Sequence, residues 1–179
     1  MIVTASLWSS YFDLSDMTVV VTYFVNVTLS ELVAGIEGNI SFISAAFNET
    51  VHLSAYNLTY DPSVPSTSDK SGMVLAWRCK RSSEAWPALL VTQSYVPYNG
   101  THGAGCFGDV GPGLLDFAGG HWDLVTETSY LEPLVSYDFQ FLVTKDVRSA
   151  TADVTVFVEQ PLAPVMGFRS ASFTSSHSL

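Results

Sequence analysis

Toward the end of the chain, apolar and polar residues alternate with a period of two. Tyr137, Phe139, Phe141 and Val143 fall on one parity, while Asp138, Gln140 and Thr144 fall on the other. Val154, Val156 and Val158 repeat the pattern after a short polar turn at 146–149. Successive side chains of a strand point to opposite faces, so this stretch predicts a β-hairpin with one buried face.

The same reading finds strands further upstream. Val51, Leu53 and Ala55 form a buried row, with Asn48 in the turn before it. A strand over 39–47 is expected to turn Ile40 and Phe42 inward and Asn39 and Ser41 outward. Further strands are expected over 17–25, 73–80, 88–96 and 121–128. The stretch TLSELVAG places Glu31 three residues after Thr28, a capping pattern that leaves open a short helical turn. PSVPSTSDKSG is a loop, and the span 97–120, with eight glycines and no sustained period, reads as one long loop. Trp77 and Cys79 are two apart and share a strand face. Cys106 is the only other cysteine, so any intrachain bridge joins Cys79 to Cys106. The expected fold is all-β, an antiparallel β-sandwich of immunoglobulin or fibronectin-III type with one disulfide.

Composition changes the picture in two ways. The 179 residues suit one sandwich with flanks. With 17 acidic residues against 7 Lys and Arg, the chain is a poor match for nucleic acid, whose phosphates need cations. The first basic residue is Lys70, so the start of the chain has neither the charged region of a secretory signal nor the character of a mitochondrial presequence. The longest apolar run, 17–27, is interrupted by two Thr, a Tyr and an Asn and is too short to span a bilayer.

All five asparagines nevertheless stand in N-x-[ST] sequons: Asn26, Asn39, Asn48, Asn57 and Asn99. With Ser and Thr making up about a fifth of residues, chance would give that result roughly once in a few thousand sequences. The set points to an N-glycosylated chain of the secretory pathway, outside the cell or at its surface. There the two cysteines read as an oxidised pair. Asn57 shares parity with the buried row, so a sugar there requires the strand to bulge or end by Tyr56. A piece of a longer secreted or membrane-anchored protein, or a processed chain, is the expected context.

Several constellations carry less than their letters suggest. Gly103 to Gly108 spell G-x-G-x-x-G, but a sequon just upstream and GPG at 111–113 do not suit the strand–turn–helix that binds dinucleotides. His52, His102, His121 and His177 lack zinc-ligand spacing, and no nucleophile stands beside a base. No cofactor is expected. Asp61, Asp109, Asp116 and Asp123 border loops and are weak calcium candidates, without the dense D-x-D-x-D-G pattern of a committed loop. Trp77 reads as core. Trp86 and Trp122 border loops, where indole faces either pack at an edge or stack on sugar rings.

Four stretches together carry a family likeness: LSAYNLTYDP from Leu53 to Pro62, LAWRC from Leu75 to Cys79, the loop Cys106, and LEPLVSYDFQFLVTKDVRSA from Leu131 to Ala150. Over about 35–160 they resemble the REJ (receptor for egg jelly) module of polycystin-like surface proteins, itself similar to the PKD immunoglobulin-like repeat. LEPLVSY matches the corner before a late sandwich strand, where a tyrosine hydroxyl, here that of Tyr137, bonds back to upstream backbone. The resemblance implies a non-enzymatic extracellular adhesion or structural module, one of several in tandem, often outside ciliary or flagellar membranes. Its partners would be other extracellular proteins or modules of the same assembly, met through strand edges and the 97–120 loop. The alternative function is carbohydrate binding through Trp86 or Trp122. On this reading 1–33 is the end of a preceding domain or an extra strand, 34–160 the sandwich, and 161–179 a linker and Ser-rich tail.

Overall fold

In a computed structural model, the described residues are 2–5, 21–24, 28–89, 91–93, 95–108, 111–115 and 121–160. They form ten strands: β1 (Ile2–Ala5), β2 (Val21–Phe24), β3 (Phe42–Ala45), β4 (Thr50–Ser54), β5 (Val74–Arg81), β6 (Val91–Gln93), β7 (Gly113–Leu115), β8 (Asp123–Glu127), β9 (Ser136–Lys145) and β10 (Arg148–Val158). Two 3-10 turns, Glu37–Asn39 and Thr128–Tyr130, interrupt them. The largest sheet has the order β3-β10-β9-β5-β7-β6, and β4 pairs with β8 in a second sheet. β1 and β2 pair antiparallel with each other.

The expected hairpin is β9–β10, in register from Arg148↔Lys145 to Phe157↔Ser136, with Asp146 taking the left-handed conformation in the turn. Tyr137, Phe139, Phe141 and Val143 are fully buried, and so are Val156 and Val158. Across β5 the same face continues through Trp77, which pairs with Phe141, and Cys79, which pairs with Phe139. Val51 and Leu53 from β4 and Leu124 from β8 close the core from the other side. Buried apolar rows facing each other from two sheets make a sandwich.

The antiparallel body carries two parallel additions, β3 on β10 and β6 on β7. The first overturns the expected parity of β3. Ile43 and Ala45 register with Val156 and Val158 and take their inward face, leaving Ile40 and Phe42 exposed. Gly38 and Asn39, both at positive φ, turn the chain just before this strand. The second addition shortens the strand expected over 88–96 to β6 and places β7 inside the expected long loop. A Cβ on Gly113 would stand only 1.9 Å from the Val91 carbonyl oxygen, so glycine permits this close approach. The segment 28–36 is not helical: Val33 instead bridges Tyr60 through two backbone hydrogen bonds of 3.0 Å, and Leu32 and Ile36 are buried.

Candidate functional site: a stapled loop and an open strand edge

The loop 95–108 holds little regular backbone pairing, so its polar groups need other partners. The Cys79–Cys106 disulfide ties it to β5, with 5.9 Å between the Cα atoms. Gln93 is buried beneath it. Its Nε2 donates to the carbonyls of Cys79 (2.7 Å) and Gly113 (2.9 Å), and its Oε1 accepts from the Cys106 N–H (2.9 Å). Glu84 accepts from the Gly105 N–H at 3.1 Å. Arg81 donates to the His102 carbonyl and to Glu132, both at 2.7 Å. Phe107 packs against Tyr95 with centroids 4.4 Å apart, and the buried His102 ring meets Tyr98 edge-on. A glycine-rich segment is thereby held in one shape. Gly103 to Gly108 lie in this loop, and no helix opens from them among the described residues.

Tyr137 forms the corner that its position suggested. Its hydroxyl accepts from the Glu132 N–H at 2.9 Å, and burial pushes the phenol up to about 12. At the far end of β9, Asp61 is 1% exposed and engages Arg148 through both oxygens, at 2.8 and 2.9 Å. Lys145 adds a third contact at 3.0 Å. The Arg148 guanidinium above all, against the cost of burial, holds the Asp61 carboxyl far below the ordinary carboxylate range. Three contacts from two protein cations, Arg148 and Lys145, thus occupy the oxygens that a calcium site would need. Asp123 is exposed, 3.8 Å from His52, and Asp109 and Asp116 lie outside the described residues. Among the described residues no group of three His, Cys, Asp or Glu side chains is placed to hold a metal ion.

The sequon asparagines of the described residues, Asn39, Asn48, Asn57 and Asn99, are all exposed in turns or loops; Asn26 lies outside them. β4 ends at Ser54, so Asn57 escapes the buried row, and its Nδ2 donates to Glu37 at 2.7 Å. The two loop tryptophans are covered differently. The Arg78 guanidinium lies 4.3 Å above the Trp86 ring, with Lys80 at 5.6 Å. Trp122 is half-buried against Phe141, with Tyr56 edge-on at 5.3 Å and Lys70 over its ring at 5.6 Å.

Among the described residues, the second sheet leaves one edge of β8 without a partner strand. The Ala55 N–H donates to the Trp122 carbonyl (3.0 Å) and the Thr128 N–H to the Glu49 carbonyl (2.8 Å). Even-numbered residues of β8 therefore bond β4, and the backbone groups of Asp123, Val125 and Glu127 point away from it. Alongside, Thr50, Tyr95, Val125, Thr126, Glu127 and Tyr130 line an open depression of about 350 Å³.

No helix among the described residues is long and apolar enough to cross a membrane. Neither the curated proteins nor the solved structures contain a match to the sequence. The family model described as the REJ domain matches residues 2–173, nearly the whole of the 179, and extends the resemblance seen over 35–160 at both ends. The chain belongs to the REJ domain family and is an extracellular module of the polycystin-like type.

Proposed function

We propose that this module is a non-enzymatic, N-glycosylated adhesion or structural unit. It works by protein–protein contact within a larger cell-surface assembly, of the kind found outside ciliary or flagellar membranes. The observation that carries the reading is the exposure of Asn39, Asn48, Asn57 and Asn99, each between strands rather than on a buried face. Glycans at those turns would cover the loop ends and leave strand edges for contact, where unpaired backbone groups favour another chain. Residues 34–160 form the contact body, with 1–33 the end of a preceding unit or an added strand whose last residues, Leu32 and Val33, pack onto that body, and 161–179 a linker and tail. The β1–β2 ladder, which pairs with no other described strand, fits a separate N-terminal element.

Two measurements test this. Secreted protein should lose the mass of several glycans on glycosidase treatment; no loss contradicts the secretory reading. Beads coated with the glycosylated module should adhere to the surface of cells that make it, and beads carrying reduced, alkylated chain should not. Equal adhesion of the two would sink the contact reading. The carbohydrate alternative draws less support, because the Arg78 guanidinium already stacks over the Trp86 ring and competes with a sugar for it. Binding to a glycan array that Trp122→Ala abolishes in a folded chain would revive it.

A further inference from the structure

Resting on that contact reading, we infer that the open edge of β8 receives an extended segment of another protein as an added strand. That segment carries Lys or Arg on either side of a β-branched residue, at alternate positions. Three independent features of the edge point there. The backbone N–H and C=O groups of Asp123, Val125 and Glu127 face away from β4 and have no partner strand among the described residues. Such a row of donors and acceptors is the template for strand addition. Beside it, Thr126 is 4% exposed with a buried hydroxyl that lacks a hydrogen-bond partner, in the wall of the depression formed with Tyr95 and Tyr130. A buried hydroxyl left unpaired is unfavourable, and an incoming strand supplies backbone groups and side chains to that wall.

The sequence of the edge selects the occupant. Asp123, Val125 and Glu127 share the solvent face of β8, an acid–apolar–acid row in which Val125 is 55% exposed. Cross-strand neighbours of opposite charge attract and like charges repel. A second copy of β8 pairing antiparallel about Val125 would set Asp123 opposite Glu127 at both ends, so self-pairing is opposed. A segment with cations at those two positions and Val or Ile between them satisfies the whole row. The excess of acidic over basic residues, 17 against 7, favours the approach of such a cationic strand.

The test uses the intact secreted module and two capped heptapeptides, TKTVTKT and TETVTET. The basic peptide should shift the amide resonances of residues 123–127, and the acidic one should bind more weakly. Val125→Pro removes an N–H that points away from β4, so no ladder bond is lost, and it should weaken the basic peptide by about tenfold. Val125→Thr, which keeps the N–H, should not. Should Val125→Pro fail to fold, Glu127→Lys serves instead; it should weaken the basic peptide by about threefold and strengthen the acidic one. Equal binding by Val125→Pro and Val125→Thr, equal binding of the two peptides, self-association through β8, or no binding would each overturn the inference. Bead adhesion that persists without peptide binding would leave the contact reading standing and move the contact elsewhere.

Discussion

Replacing Cys79 and Cys106 together with alanine asks what holds the glycine-rich loop. The bridge spans 27 positions of sequence, so the chain-entropy relation assigns it about 3.6 kcal/mol at 25 °C through its constraint on the unfolded chain. Both cysteines are fully buried, so the loss of sulfur contacts adds to that figure rather than offsetting it. Urea denaturation of the oxidised native chain and the double variant should show a loss of about 3–5 kcal/mol. Hydrogen exchange adds a local reading: the Cys106 and Gly105 amides, which donate to Gln93 and Glu84, should exchange much faster in the variant. A loss under about 1 kcal/mol with unchanged protection would refute the staple. The loop would then be held by Gln93, Glu84 and Arg81 alone, with the disulfide an accessory.

Three other substitutions probe the polar anchors. Gln93→Leu strands the Cys106 N–H and two carbonyls in the core and should cost at least about 3 kcal/mol by denaturant unfolding. Tyr137→Phe leaves the Glu132 N–H without its acceptor and should cost about 1–2 kcal/mol; an unchanged midpoint would empty the corner of its role. Asp61→Asn addresses pH. Because the folded carboxyl sits below its ordinary 3.8, its contribution is present above that value and is lost as pH falls toward the lower folded one. Thermal denaturation should therefore show the variant less stable at pH 7 and converging on the native chain in strong acid. A gap that stays constant with pH would rule out this linkage.

What was legible in the sequence was what repeats locally. The β9–β10 hairpin, the Val51–Leu53–Ala55 row and the Trp77–Cys79 pair announce themselves through period-two burial, and Tyr137 through its spacing after Leu131 and Pro133. Paired cysteines need no periodicity at all. The failures share one cause, pairing between strands far apart in the chain. β3 takes its facing from β10 more than a hundred residues later, so its exposed Ile40 and Phe42 look like core in isolation. β6 and β7 are three residues each, too short for a period to register, and Gly113 reads as loop although it is there to let two strands touch. Asp61 stood in a plausible loop-acid pattern; nothing near it in sequence signals the arginine 87 positions away that claims it.

The six-against-two sheet arrangement explains why this sandwich contains so many buried polar side chains. Two strands cannot cover the inner face of six, and the rest is closed by non-strand segments, 28–36, the loop 95–108 and the turn at Leu131. Such segments bring backbone groups that no ladder satisfies, and each is fastened by a buried polar residue. Thr59 exchanges hydrogen bonds with the backbone of Gly35, Thr128 with that of Ala46 and Glu49, and Gln93 with that of Cys79, Cys106 and Gly113. Those three side chains do for the coverings what further strands would have done. The same shortage of strands in the second sheet is what leaves β8, paired with β4 on one edge, without a described strand on the other. Rigid closure of the core on one side and an open edge on the other are therefore two consequences of a single topological choice.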